Sequence, residues 1–195
     1  MSKNMKFRMQ LLATIFMLGS SVALLMEAMN WYEVGDGTLF SGVFYCALLI
    51  GSILLTIYYK LGKFKILLAA HITFLVGFGF RFCDFAFQCL LGGDAPPISI
   101  FLFDFLPGLA LVSEVAILVI LMQKAKSDRW REIILANSII QNMFWGLVLI
   151  FGAIDAFSNM DIYMLTESIG GLYGVTLFIT FLNTGSDFVK DERMN

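Results

Sequence analysis

The chain has 195 residues, 59% of them hydrophobic and 14% charged, and a mean hydropathy of +0.83. Soluble domains hold roughly 45–50% apolar and about 25% charged residues. The composition therefore excludes an ordinary soluble domain and predicts a single all-α integral membrane domain over 1–195, while the net charge of −2 is uninformative because a bilayer sorts charges by side.

A hydrocarbon core about 30 Å thick takes about 20 helical residues. Six segments fit, at 9–29, 38–59, 66–91, 98–122, 133–154 and 162–185. They are read as helices, because backbone groups in lipid must be satisfied within the segment.

The first segment follows Lys3, Lys6 and Arg8 and reads "LLATIFMLGSSVALLM". A basic start before an apolar run resembles a signal peptide. The run is long for one and no A-x-A site follows, so an uncleaved span is expected. Glu27 lies at its far end, and Trp31 and Tyr32 suit an interfacial anchor. The second segment is free of charge and ends at Lys60, Lys63 and Lys65.

The third contains "FGFRFCDFAFQC", with Arg81 and Asp84 three residues apart on one helical face. An arginine near mid-bilayer costs at least ~2.5 kcal/mol unless paired or solvated. His71, the chain's one histidine, is read as structural, with a proton relay to Glu114 as the functional alternative. The fourth segment carries Asp104 and then Pro107, which removes a backbone donor and predicts a kink beside Asp104. Glu114 lies deeper in the same segment. The fifth holds Asn137, Gln141 and Asn142, amides suited to bonds between helices or to a polar path, and closes on Asp155. The sixth places Glu167 on one face with Gly170 and Gly174, a G-x-x-x-G pair that admits a close neighbour. Cys46, Cys83 and Cys89 form no C-x-x-C pair and are read as small buried hydrophobes.

The basic residues set orientation. Twelve of the thirteen precede the first segment, separate the second from the third or the fourth from the fifth, or follow the sixth. Both termini are thus expected in the cytoplasm. Arg81 is the exception. The outer-half residues Arg81, Asp84, Asp104 and Glu167, with Glu114 deeper and Glu27 at the rim, form the candidate ligand- or ion-binding set. The competing reading of Arg81 is a salt bridge with Asp84 or Asp104 that fixes the third and fourth helices.

Several chemistries lack their residues. Every lysine lies at a segment end or in a loop, which excludes a retinal Schiff base. One histidine excludes bis-histidine haem. H-E-x-x-H and G-x-x-x-x-G-K-[ST] are absent. An aspartyl protease dyad of Asp84 and Asp104 would sit beside Arg81, which would hold it ionised, and no G-x-G-D motif accompanies it. No catalytic residue, metal or cofactor is expected, and an intramembrane enzyme acting on lipid or peptide is the least favoured of three readings.

In helix count and length alone, the chain resembles the substrate-binding subunits of bacterial vitamin importers and the membrane-embedded sensor modules of signalling proteins. The expectation is a multi-pass protein of the bacterial plasma membrane. It would bind or translocate a small solute, cation or proton, as a transporter subunit in contact with lipids and a membrane protein partner, and not with nucleic acid. The alternative is a non-transporting sensor, immunity or assembly partner whose charges are structural.

Overall fold

The computed structural model describes residues 1–31, 38–91, 105–123, 128–159 and 162–189; side chains at 22–31, 38–39, 155–159, 162–171 and a few single positions are outside that description. Six helices occur among the described residues, with no strand: α1 (Lys3–Trp31), α2 (Thr38–Leu61), α3 (Phe64–Leu91), α4 (Leu106–Gln123), α5 (Asp128–Asn159) and α6 (Ile162–Val189).

Local chemistry fixes several ends. Ser2 caps α1, its Oγ accepting the Met5 amide at 3.3 Å. Gly62 ends α2 with φ at +73°, and its amide donates to Tyr58 O at 2.7 Å. That left-handed turn is one a Cβ would strain. It lets α3 begin at Phe64 and run back along α2.

The helices extend past most of the expected bounds. Apolar runs report the stretch fit for hydrocarbon, whereas helical hydrogen bonding continues through charged turns such as Lys3–Arg8 and Asp128–Arg131. The described part of the fourth segment is a π turn at Phe105 followed by the α-helix Leu106–Gln123. Residues 98–104 of the expected segment, and with them the expected kink beside Asp104, lie outside the described residues.

Contacts follow chain order. α1 packs on α2, α2 on α3, α3 on α4, α4 on α5 and α5 on α6, and α6 returns to α1. The helices thus form a closed ring. Its interior is filled by Met17, Phe44, Phe74, Phe78, Leu106, Ala110, Trp145, Tyr173, Leu177 and Phe181, all buried. Phe78 stacks on Phe181 across the ring, centroids 6.0 Å apart. A smaller cluster of Ala116, Ile117, Ile120 and Ile134 joins α4 to α5.

The exterior is apolar. Ile15, Leu18, Ile50, Ile72, Val76, Val112, Met143, Ile150 and Phe151 are exposed, while Gln10, Ser52, His71, Arg81, Asp84, Glu114, Gln141 and Asn183 are buried. Water would select the opposite arrangement. Three stretches are long and apolar enough to cross a membrane, Gly42–Leu61, Phe64–Phe87 and Arg129–Phe151, and Leu106–Met122 is a shorter apolar helix. These features point to a membrane protein. The three cysteines correct the sequence reading: all are exposed. Where the surroundings are apolar, a small weakly polar thiol gains little by burial, so apolarity alone does not place it inside.

Candidate functional site

Arg81 and Asp84 are brought together on α3. Arg81 Nη1 donates to Asp84 Oδ2 at 3.2 Å, and the two residues are 7% and 6% exposed. The one-turn spacing puts both side chains on the face toward the bundle interior. The guanidinium also lies 5.5 Å from the centre of the Phe44 ring on α2, a distance at which the ring face attracts a cation. The structure therefore holds Arg81 by a carboxylate on its own helix and by an aromatic ring on the next. Asp104 lies outside the described residues. Glu167 and Glu27 fall within α6 and α1, but their side chains are outside the description.

Glu114 belongs to a different place. Its Oε2 lies 2.7 Å from Nδ1 of His71, joining α4 to α3, and both side chains are 4% exposed. The edge of the imidazole faces Phe74, at 6.2 Å between centroids. His71 precedes Arg81 by ten residues, about 15 Å along a helix at 1.5 Å per residue. Three of the six expected residues, Arg81, Asp84 and Glu114, thus fall in two separated buried pairs, with His71 completing the second.

The amides of α5 separate as well. Asn137 Nδ2 donates to Leu109 O and to Ser113 Oγ, both at 2.7 Å. Gln141 Nε2 donates to Leu106 O at 2.6 Å, and its Oε1 accepts from Trp145 Nε1 at 3.1 Å. These two residues tie α5 to the backbone of α4. Asn142 instead turns to its own helix, donating to Ser138 O at 2.7 Å. Gly174 lies against the Trp145 ring, where a Cβ would come within 3.1 Å of it. The close neighbour there is an aromatic side chain, and Gly170 is outside the side-chain description.

A third group was missed from sequence. Lys6 on α1 forms an ion pair with Asp187 on α6, and the Tyr59 hydroxyl on α2 donates to the other Asp187 oxygen at 2.8 Å. Lys6 is 2% exposed, so it is an interior partner and more than a marker of sidedness. One turn further in, Asn183 Nδ2 donates to Gln10 Oε1 at 3.0 Å and Gln10 Nε2 to Thr180 Oγ1 at 3.3 Å. Then Thr176 Oγ1 donates to Ala13 O at 2.9 Å. The signal was present as spacing. Lys6, Gln10, Ala13, Met17 and Ser20 recur every three or four residues on α1, as do Thr176, Thr180, Asn183 and Asp187 on α6.

No group of three or more metal-ligating side chains occurs among the described residues. No family model matches the chain, and no curated protein or solved structure matches it.

Proposed function

We propose that the chain is a multi-pass protein of the bacterial plasma membrane with six spans and both termini in the cytoplasm. It binds or translocates a small solute or ion at polar groups in the outer half of the bundle, as a transporter membrane subunit. The carrying observation is the buried Arg81–Asp84 pair inside a ring whose exterior is apolar. Charges at membrane depth are costly and mark solute or ion pathways by default. Arg81 would hold an anionic group or a carboxylate of the site. Asp84, Asp104 and Glu167 would meet a cation or ligand donors. The packed aromatic interior requires passage to proceed by rearrangement of the helices rather than through a standing pore.

A second reading has its own observation. Arg81 and Asp84 pair with each other within one helix, as they would in a sensor or assembly partner whose charges are structural. The two readings separate in vesicles. The purified protein is reconstituted on a solid-supported membrane, and currents are recorded after jumps of sodium, potassium, arginine or glutamate. Wild-type currents for one of these, lost in Arg81→Gln and Asp84→Asn at unchanged folded yield, support transport. If both single variants lose folded protein and the double variant regains it, with no wild-type current, the charges are structural.

A further inference from the structure

We propose that His71 and Glu114 form a proton-binding site, so that the ion handled by the bundle is a proton. This rests on the membrane-transport reading above and names its ion. Three ion pairs occur among the described residues. Arg81–Asp84 is a fixed pair, because a guanidinium does not give up its proton in a protein. Lys6–Asp187 closes one end of the bundle. His71–Glu114 alone is both interior and made of an imidazole and a carboxyl, two side chains that can each bind and release a proton.

The chemistry follows from the 2.7 Å contact between Nδ1 and Oε2. One proton lies in that hydrogen bond. With no second proton, the pair is a neutral imidazole facing a carboxylate and carries one negative charge. A proton taken up at Nε2 gives imidazolium and carboxylate, a pair of zero net charge. A buried charge without a counterion is expensive, and a hydrogen-bonded pair of opposite charges is less so. Uptake at Nε2 thus loads the pair by cancelling its net charge, and release of the same proton from Nε2 restores the empty state.

Surrounding groups leave this exchange to the pair. α2, packed on α3, carries Tyr45, Cys46, Tyr58, Tyr59 and Lys60. α5, packed on α4, carries Arg129, Arg131 and Glu132 beside the neutral amides Asn137 and Gln141, with Asp128 and Asp155 outside the side-chain description. Tyr59 bonds Asp187 and Arg131 bonds Phe188 O. Among the described residues none of these is a hydrogen-bond or ion-pair partner of His71 or Glu114. The pair sits seven residues into α3, about 10 Å along the helix, and Arg81–Asp84 lies about 15 Å beyond it. A proton and a second ligand would therefore occupy separate sites on one helix.

The test uses full-length protein in vesicles of phosphatidylethanolamine and phosphatidylglycerol loaded with pyranine, with a potassium diffusion potential set by valinomycin. Wild-type vesicles are expected to show protein-dependent proton movement. Glu114→Gln, which keeps the shape and a hydrogen bond but cannot titrate, and His71→Asn are each expected to slow it about tenfold or more. Wild-type rates in either variant overturn the proposal. So does the absence of proton movement in wild type; if currents for another ion persist, the transport reading survives that result, and if none does, both fall. Should Glu114→Gln not accumulate as folded protein, Glu114→Asp retains the acid and withdraws it by one methylene. A slowed rate then supports the site, and an unchanged rate overturns it.

Discussion

A Cβ on Gly51 would stand 2.4 Å from Cε1 of Phe74, and one on Gly77 would stand 2.7 Å from the Ala47 Cβ. Both glycines lie where α2 and α3 meet, and Phe74 is 1% exposed, so its ring has no vacant space to enter. Overpacking of this kind costs about 1–3 kcal/mol. Gly51→Ala and Gly77→Ala are therefore expected to lower the unfolding temperature in detergent. Gly42→Ala, with nothing within 4 Å of the added carbon, is expected to leave it unchanged or raise it through helix propensity. Equal effects at all three positions would refute close packing as the cause. These contacts were only half legible in the sequence. Ala47 and Gly51 show small residues at four-residue spacing, but nothing along the chain says that a phenylalanine of the next helix fills the gap. Lys6 shows the same limit for charge. A lysine in a first helical turn reads alike whether it faces water or an aspartate 181 residues away.

At the scale of the element, α4 and α5 are joined by side-chain amides that bond to backbone carbonyls. Gln141 is the central member, donating to Leu106 O and accepting from Trp145. Gln141→Leu would leave the buried Trp145 N–H without its acceptor, at a cost of about 1–3 kcal/mol. Gln141→Glu keeps that acceptor and loses the donor to α4. Thermal unfolding in micelles should rank wild type above both variants; Gln141→Leu matching wild type would show that the bond contributes nothing. The helices were legible as elements because runs of about 20 apolar residues have few alternatives. Their ends were not, since hydrophobicity measures what hydrocarbon tolerates and helical bonding stops where caps and glycines stop it. Arg81, Asp84 and Glu114 were legible as candidates because charge in an oily run is conspicuous. Their partners were legible as alternatives, since Asp84 shares a helical face with Arg81 and Glu114 lies at a depth comparable to His71, but only the crossing of α3 and α4 brings His71 and Glu114 together.

The whole molecule is a ring closed by its first and last helices. At that seam, Lys6 and Asp187 form a largely buried pair with Tyr59 as a third member. Removing one partner of a buried pair costs about 3–5 kcal/mol, because the other is left uncompensated. Asp187→Leu is accordingly expected to destabilise more than the double variant Lys6→Met with Asp187→Leu, measured by unfolding temperature in one detergent. A double variant as unstable as the sum of the singles would show that the two residues do not act as a pair.

Ring closure also bears on how the protein is made. A ribosome delivers α1 well before α6, and each helix between them finds its neighbour as soon as it emerges. Lys6, Gln10 and the Ala13 carbonyl wait for partners on α6, 163 to 177 residues later. In the six-span reading, a nascent chain of five helices presents Gln10 to lipid, and an unpaired Lys6 at its cytoplasmic edge, until α6 arrives. The seam then forms only when α6 docks on α1, and a polypeptide that stops short of α6 carries an exposed polar stripe by which quality-control proteases can recognise it.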